Sequence, residues 1–208
     1  MSGWSEHTGI AVGLPIDNID TDQLIPARFM SQPRSDGYGD FLFYDVRRES
    51  NGELDPEFVL HKQTSATVLI AGRNFGIGSS REAAAYALLD AGFCVVVASS
   101  FGDIFAANAV NNGLLPAQVE SHTIHELQQF VGSDAVPCTI SLLDSTLSIG
   151  VNTFPFTLDE SWQKKLISGW DDIDLTLAES KRIEDFRTRY FEGAPWALPS
   201  PNTANEHG

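Results

Sequence analysis

The sequence predicts an α/β domain with a parallel β-α-β-α-β core and additional antiparallel strands. Three observations carry this reading. Residues 66–71, 93–98 and 114–119 are short, largely apolar runs. Between them lie two stretches of helical composition, 79–91 and 101–111, closed by Gly92 and Gly113. Runs this apolar suit a sheet covered on both faces, and the strand-helix alternation implies parallel pairing through right-handed crossovers. Further on, two runs around Asp144-Ser145 read as a hairpin.

In chain order, residues 8–14 form the first expected strand, followed by the polar loop Asp17-Asn18-Ile19-Asp20-Thr21-Asp22 and then Gln23-Leu24-Ile25-Pro26. Residues 29–63 are irregular, punctuated by Pro33, Gly37, Gly39, Asn51-Gly52 and Pro56. Connections of that length tend to be functional or mobile. After the core, a helix is expected over 123–131 and strands over 138–143 and 146–153. Surface helices are expected over 158–167 and 177–190. The final stretch, 193–208, contains Pro and Asn and reads as a fraying tail.

Composition removes several function classes. The 208 residues include 42% apolar side chains, enough to bury a core. Acidic residues number 28 against 13 basic ones, for a net charge of −15. That field repels phosphate backbones and anionic lipid, so neither nucleic acid nor membrane is an expected partner. Cys94 and Cys138 are the only cysteines. Two distant thiols cannot build a disulfide framework, a structural zinc site or an iron–sulfur cluster on this chain alone. No basic-then-apolar leader and no apolar run of membrane length is visible, so a cytoplasmic protein is expected.

The strongest chemical feature is Gly72-Arg73-Asn74-Phe75-Gly76-Ile77-Gly78-Ser79-Ser80-Arg81-Glu82, between an apolar strand and a helix. Glycines allow a sharp turn and close backbone approach, and the helix start offers free N–H groups. Two hydroxyls and a forked cation suit a carboxylate. A Walker loop lacks its lysine here, Arg81 stands where a dinucleotide loop has Gly or Ala, and no G-x-S-x-G is present. The structural alternative is a capping box with Ser79 as N-cap and Glu82 reaching back. The Asp17–Asp22 loop could hold a hard cation, but it lacks the pattern of a calcium loop, so a solvated turn is the default. The five histidines form no ligand pair, and no metal ligand is assigned.

Three blocks resemble a known family. They are Asn18-Ile19-Asp20-Thr21-Asp22-Gln23-Leu24-Ile25-Pro26, the glycine-serine-arginine loop, and Ser100-Phe101-Gly102-Asp103-Ile104-Phe105 with Asn112-Gly113-Leu114-Leu115-Pro116. Together with the stretch from Trp170 to Leu177, they resemble the small subunits of isopropylmalate dehydratases, the swivelling domain of the aconitase superfamily. The resemblance implies a swivelling β/β/α fold over 1–192, followed by the tail. It also implies a heterodimer with a large subunit that carries a [4Fe–4S] cluster, no cofactor being bound by this chain. The implied reaction is a hydro-lyase isomerisation of 2- and 3-isopropylmalate in leucine biosynthesis.

By the same resemblance, Ser79 is the catalytic base and Arg81 the carboxylate-binding arginine. Ser80, Asn74, Gly78, Asp22 and Thr21 belong to the substrate-binding set. Phe29, Met30 and Ser31 are placed beside the variable substituent, where an apolar wall without a cation suits an isopropyl group; Arg28 and Arg34 flank the segment. Two positions depart from the family pattern. Ile77 stands where most small subunits carry Cys, and Ala83-Ala84-Ala85 follows Arg81-Glu82. Related substrates (homoaconitate, citramalate or dimethylmalate) therefore stay open, as does a non-catalytic anion-binding module.

Overall fold

A computed structural model describes residues 3–132 and 134–197. Seven strands form one sheet in the order β4-β3-β2-β1-β5-β6-β7. They are β1 (Glu6–Leu14), β2 (Val68–Ala71), β3 (Val95–Ala98), β4 (Leu115–Gln118), β5 (Val136–Ser141), β6 (Thr146–Ile149) and β7 (Asn152–Pro155). β1 to β4 are parallel neighbours, and β5 to β7 extend the sheet antiparallel from β1. The expected core is present.

Alternation along the strands sorts two cores. Leu69, Ala71, Val96 and Ala98 face one layer, and Val68, Ile70, Val95 and Val97 face the other. The helices are α1 (Thr21–Leu24), α2 (Val59–Lys62), α3 (Glu82–Asp90), α4 (Asp103–Asn111), α5 (Ser121–Val131), α6 (Glu160–Ser168), α7 (Asp172–Ala178) and α8 (Ser180–Gly193). α3 covers the first face through Ala83, Ala84, Ala87 and Leu88, while Ile124, Leu127 and Val131 of α5 and Leu166 of α6 cover the second. With both faces covered, uninterrupted apolar strands are the stable choice.

Several expectations change. The 146–153 run is two strands, because Gly150 adopts φ 60° and turns the chain between β6 and β7. The 177–190 helix is likewise two, interrupted at Glu179, with Asp171 capping the first by accepting from the Ile173 and Asp174 amides at 2.8 Å. Residues 29–63 hold little regular structure yet are packed: Phe43 is fully buried, and Tyr38, Leu42 and Phe58 join the first core. The chain divides into two compact units, Met1–Trp170 and Asp171–Gly208. In the second, α8 is followed by a short turn at Pro195–Ala197, and 198–208 of the expected tail lies outside the described residues.

The capping box expected at Ser79 does not form. α3 starts after Arg81, which makes no side-chain cap, and Glu82 accepts instead from Asn112 Nδ2 at 2.8 Å. Capping boxes occur at Asp171 and at Asp20, whose carboxylate accepts from Gln23 N at 2.7 Å while Asp20 N donates to Gln23 Oε1 at 2.9 Å. A run expected to be a solvated turn is thus an anchored helix start.

β1, β2 and β3 end side by side at Leu14, Ala71 and Ala98, so the loops leaving them are neighbours. They are stitched together. Gly76 N donates to Ile19 O at 2.7 Å, Thr21 N to Ile77 O at 2.9 Å and Asn18 N to Arg73 O at 2.8 Å. On the other side, Phe75 N donates to Ser100 O at 3.0 Å and Gly102 N to Phe75 O at 2.9 Å. The contact admits no side chain at Gly102, where a Cβ would lie 2.5 Å from Gly76 O.

Gly102→Ala is therefore expected to destabilise the protein by about 1–3 kcal/mol, the usual cost of overpacking. Gly193→Ala, whose added Cβ meets nothing within 4 Å, should leave the thermal midpoint unchanged or raise it slightly. Equal midpoints for both variants would contradict the close loop contact. Cys138 provides a second check. It is 3% exposed on β5, and burial pushes its thiol up to about 11. It should resist alkylation at pH 8 in the native chain and react fully in denaturant; rapid native labelling would contradict its placement.

Candidate active site

The stitched loops present Ser79 and Ser80 at the surface. Gly78, at φ 100°, turns the chain outward just before them, and both serines are exposed. Their backbone is held from below: the hydroxyl of Thr21, itself 1% exposed, donates to Ser79 O at 3.0 Å. Neither serine hydroxyl has a hydrogen-bond partner among the described residues. The result is a fixed backbone carrying two free hydroxyls.

Arg81 lies directly behind them. Its side chain is 14% exposed, and Nη1 forms an ion pair with the Asp22 carboxylate. The Arg81 guanidinium holds the Asp22 carboxyl below the usual aspartate range. A guanidinium with one aspartate partner keeps further N–H donors in its fork, so it can take a second carboxylate. The first amides of α3 lie at the same place, adding a positive helix end.

Asn74 is committed to the scaffold. At φ 56° it donates Nδ2–H to Asn18 Oδ1 at 2.7 Å, accepts at Oδ1 from Ser100 Oγ at 3.0 Å, and its amide donates to Ser100 Oγ at 2.8 Å. Asn18, also left-handed at φ 58°, and Ser100 are structural partners that residue-type reasoning did not single out. The signal lay in the motif blocks that contain them. Asp17 similarly accepts from Arg73 N and pairs with Arg73 Nε, each at 3.0 Å. The acidic loop is consumed in anchoring the glycine loop.

The structure thus brings Thr21, Asp22, Gly78, Ser79, Ser80 and Arg81 into one cluster, with Asn74 in the scaffold of the same loop. The Phe29–Ser31 turn follows Ala27, whose amide meets the Asp22 carboxylate, and its own side chains are engaged locally. Phe29 stacks on Phe41 with ring centres 4.3 Å apart and sits 4.7 Å from Tyr44, while Met30 stays exposed and Ser31 Oγ donates to Arg28 O at 3.4 Å. The flanking cations are both engaged, Arg28 with Asp45 and Arg34 with Asp90.

Beside Ser79 is a shallow hollow of about 170 Å³, lined among others by Ile77, Asp103 and Ile104. Ligand sites usually enclose about 300–1,000 Å³. The hydroxyls, the guanidinium and this hollow amount to one wall of a carboxylate site rather than a complete one. Burial raises the pKa of Cys94 and Cys138 alike, which keeps both thiols protonated at neutral pH.

Comparison with known proteins gives this arrangement a context. The Aconitase C-terminal domain family matches residues 1–122. The 3-isopropylmalate dehydratase small subunit of Corynebacterium jeikeium is 39% identical over 203 residues, covering 96% of this chain and all of that protein. Its counterpart from Bifidobacterium adolescentis is 42% identical over 198 residues, covering 92% of this chain and 84% of that protein. A crystal structure of a 3-isopropylmalate dehydratase from Methanocaldococcus jannaschii superposes with a TM-score of 0.62 at 24% identity, covering 88% of this chain and 99% of that one, which supports the fold. With matches spanning both the serine loop and the loops stitched to it, the chain belongs to the 3-isopropylmalate dehydratase small-subunit family, within the aconitase C-terminal domain family.

Proposed function

We propose that this chain is the serine-bearing half of a 3-isopropylmalate dehydratase, interconverting 2- and 3-isopropylmalate with a large subunit, in the cytoplasm, for leucine biosynthesis. The carrying observation is the half-built site: fixed, exposed Ser79 beside the half-satisfied Arg81 fork. The family supplies the reaction, a hydro-lyase step. A [4Fe–4S] cluster on the large subunit would act as the Lewis acid for the departing hydroxyl.

In this reading the residues have distinct tasks. The Arg81 fork takes a substrate carboxylate, with Asp22 fixing the other side of the guanidinium. Ser79 Oγ takes the proton from the carbon next to that carboxylate. Loss of water leaves an alkene, and return of water with the opposite regiochemistry gives the isomer. A serine is a weak base in water. It becomes competent when its alkoxide is stabilised by the α3 amides and Arg81 in a site from which a partner excludes solvent. Ser80 donates a hydroxyl to substrate oxygen, and Gly78 gives the backbone room to approach it. Thr21 and Asn74 act one step back, by holding the loop.

For the substituent, the reading keeps Phe29, Met30 and Ser31 as the specificity segment. Met30 is the exposed apolar member, and the engagement of Arg28 and Arg34 leaves the turn without a free cation. An apolar substituent is then preferred over an additional carboxylate, whose unpaired burial costs far more than a methylene gains.

The isolated chain should show no isomerase activity, and activity should appear on anaerobic mixing with its large subunit. Ser79→Ala should then abolish turnover by several orders of magnitude while changing stability by no more than about 0.5 kcal/mol, since Ser79 caps no helix. A Ser79→Ala complex with near-normal turnover would remove Ser79 from the chemistry. On substrate choice, isopropylmalate should be turned over in strong preference to homoaconitate, and Met30→Arg should shift that ratio toward the tricarboxylate by about tenfold or more. An unchanged ratio would exclude this turn from the substituent pocket.

A further inference from the structure

A second cavity lies at the opposite end of the sheet from Ser79. It is formed below Ala66 and Phe93, which precede β2 and β3, and has a volume of about 350 Å³, within the range of ligand pockets. Its wall contains an arginine, Arg47, that meets no carboxylate among the described residues. Within 3–170, Arg28, Arg34, Arg73 and Arg81 each pair with an aspartate. Arg47 and its neighbour Arg48 pair with no carboxylate among the described residues, in a chain with 28 acidic side chains. Arg48 is accounted for, since it donates to Tyr44 O at 2.7 Å and stacks over the Tyr44 ring. Arg47 is not. It donates through Nη2 to the backbone carbonyl of Asp40, and its buried Nε has no acceptor.

A guanidinium that lines a cavity and meets no carboxylate suits an anion. The remaining wall restricts which one. Asp40 is exposed on the same cavity, and the C-terminal end of α3 at Asp90 adds partial negative charge. A second carboxylate is disfavoured there and an ammonium is favoured. Leu42, Leu60 and Phe93 supply an apolar floor. We propose that this cavity binds a small apolar α-amino acid. Its carboxylate lies on Arg47, its ammonium toward Asp40 and its side chain against Leu42, Leu60 and Phe93. A zwitterion carries no net charge, so the −15 field does not oppose its approach. This site stands apart from the Ser79 cluster and does not depend on the reaction assigned to it.

Calorimetric titration of the full chain with L-leucine tests the proposal. Saturable binding is expected, with isocaproate (no ammonium) and isoamylamine (no carboxylate) each weaker by about tenfold or more. Arg47→Met should weaken leucine binding by a similar factor, and Asp40→Asn should bring the leucine and isocaproate affinities together. The ligand comparison uses the unmodified protein, so it decides even if Arg47→Met fails to fold. No saturable binding of leucine up to 10-fold above millimolar concentration, or isocaproate binding as tightly as leucine, would overturn the zwitterion site.

Discussion

The organising constraint is the lateral stitching of three loops that leave the carboxyl ends of neighbouring parallel strands. Loops at such a position on an open sheet are natural ligand sites, but they need fixing to be useful. Here the 72–79 loop lies in the middle and is bonded to both neighbours, to Ile19 and Thr21 on one side and to Ser100 and Gly102 on the other. Each hydrogen bond contributes about 1 kcal/mol, modest singly and sizeable as a set. The glycines are part of the same device, since Gly76 at φ 73° lies against the Phe105 ring and Gly102 lies against Gly76 O. Without this stitching, the direction of Ser79 would be set by a flexible turn.

That constraint explains the division of labour in the motif blocks. Asn18, Asp20, Thr21, Asn74 and Ser100 hold the backbone, which leaves Ser79, Ser80 and part of the Arg81 fork to meet a ligand. The arrangement is preorganised but open, with its hydroxyls exposed and a hollow below the usual size of a ligand pocket. Preorganised donors gain most of their effect when water is excluded. A rigid loop presented on an open face fits the proposed shared site, in which a partner closes over it.

Much of the fold was legible because the parallel strands are buried on both faces, so residues 68–71 and 95–98 carry no polar interruption. What was hidden depended on single backbone choices. Gly150 split a strand, Glu179 split a helix, and the helix after the serine loop began three residues beyond Ser79. The capping pattern S-x-x-E was present in sequence, yet boxes formed at Asp20 and Asp171 and not at Ser79, where α3 starts only at Glu82 and the Glu82 carboxylate accepts from Asn112. Residues 29–63 looked like open loop since their apolar residues follow no period; tertiary contact, not periodicity, buries Phe43 and Phe58. The Asp22–Arg81 pair spans 59 positions in sequence and was grouped only through the family resemblance.

Amide hydrogen exchange resolved to single residues tests the stitched-loop account most directly. The amides of Thr21, Gly76 and Gly102 donate across loops, and they should exchange nearly as slowly as those of Leu69 and Ile70 in β2, with the exposed Ser80 amide exchanging fast. If Thr21, Gly76 and Gly102 exchange as fast as Ser80, the loops are not held together and the orientation of Ser79 must have another origin.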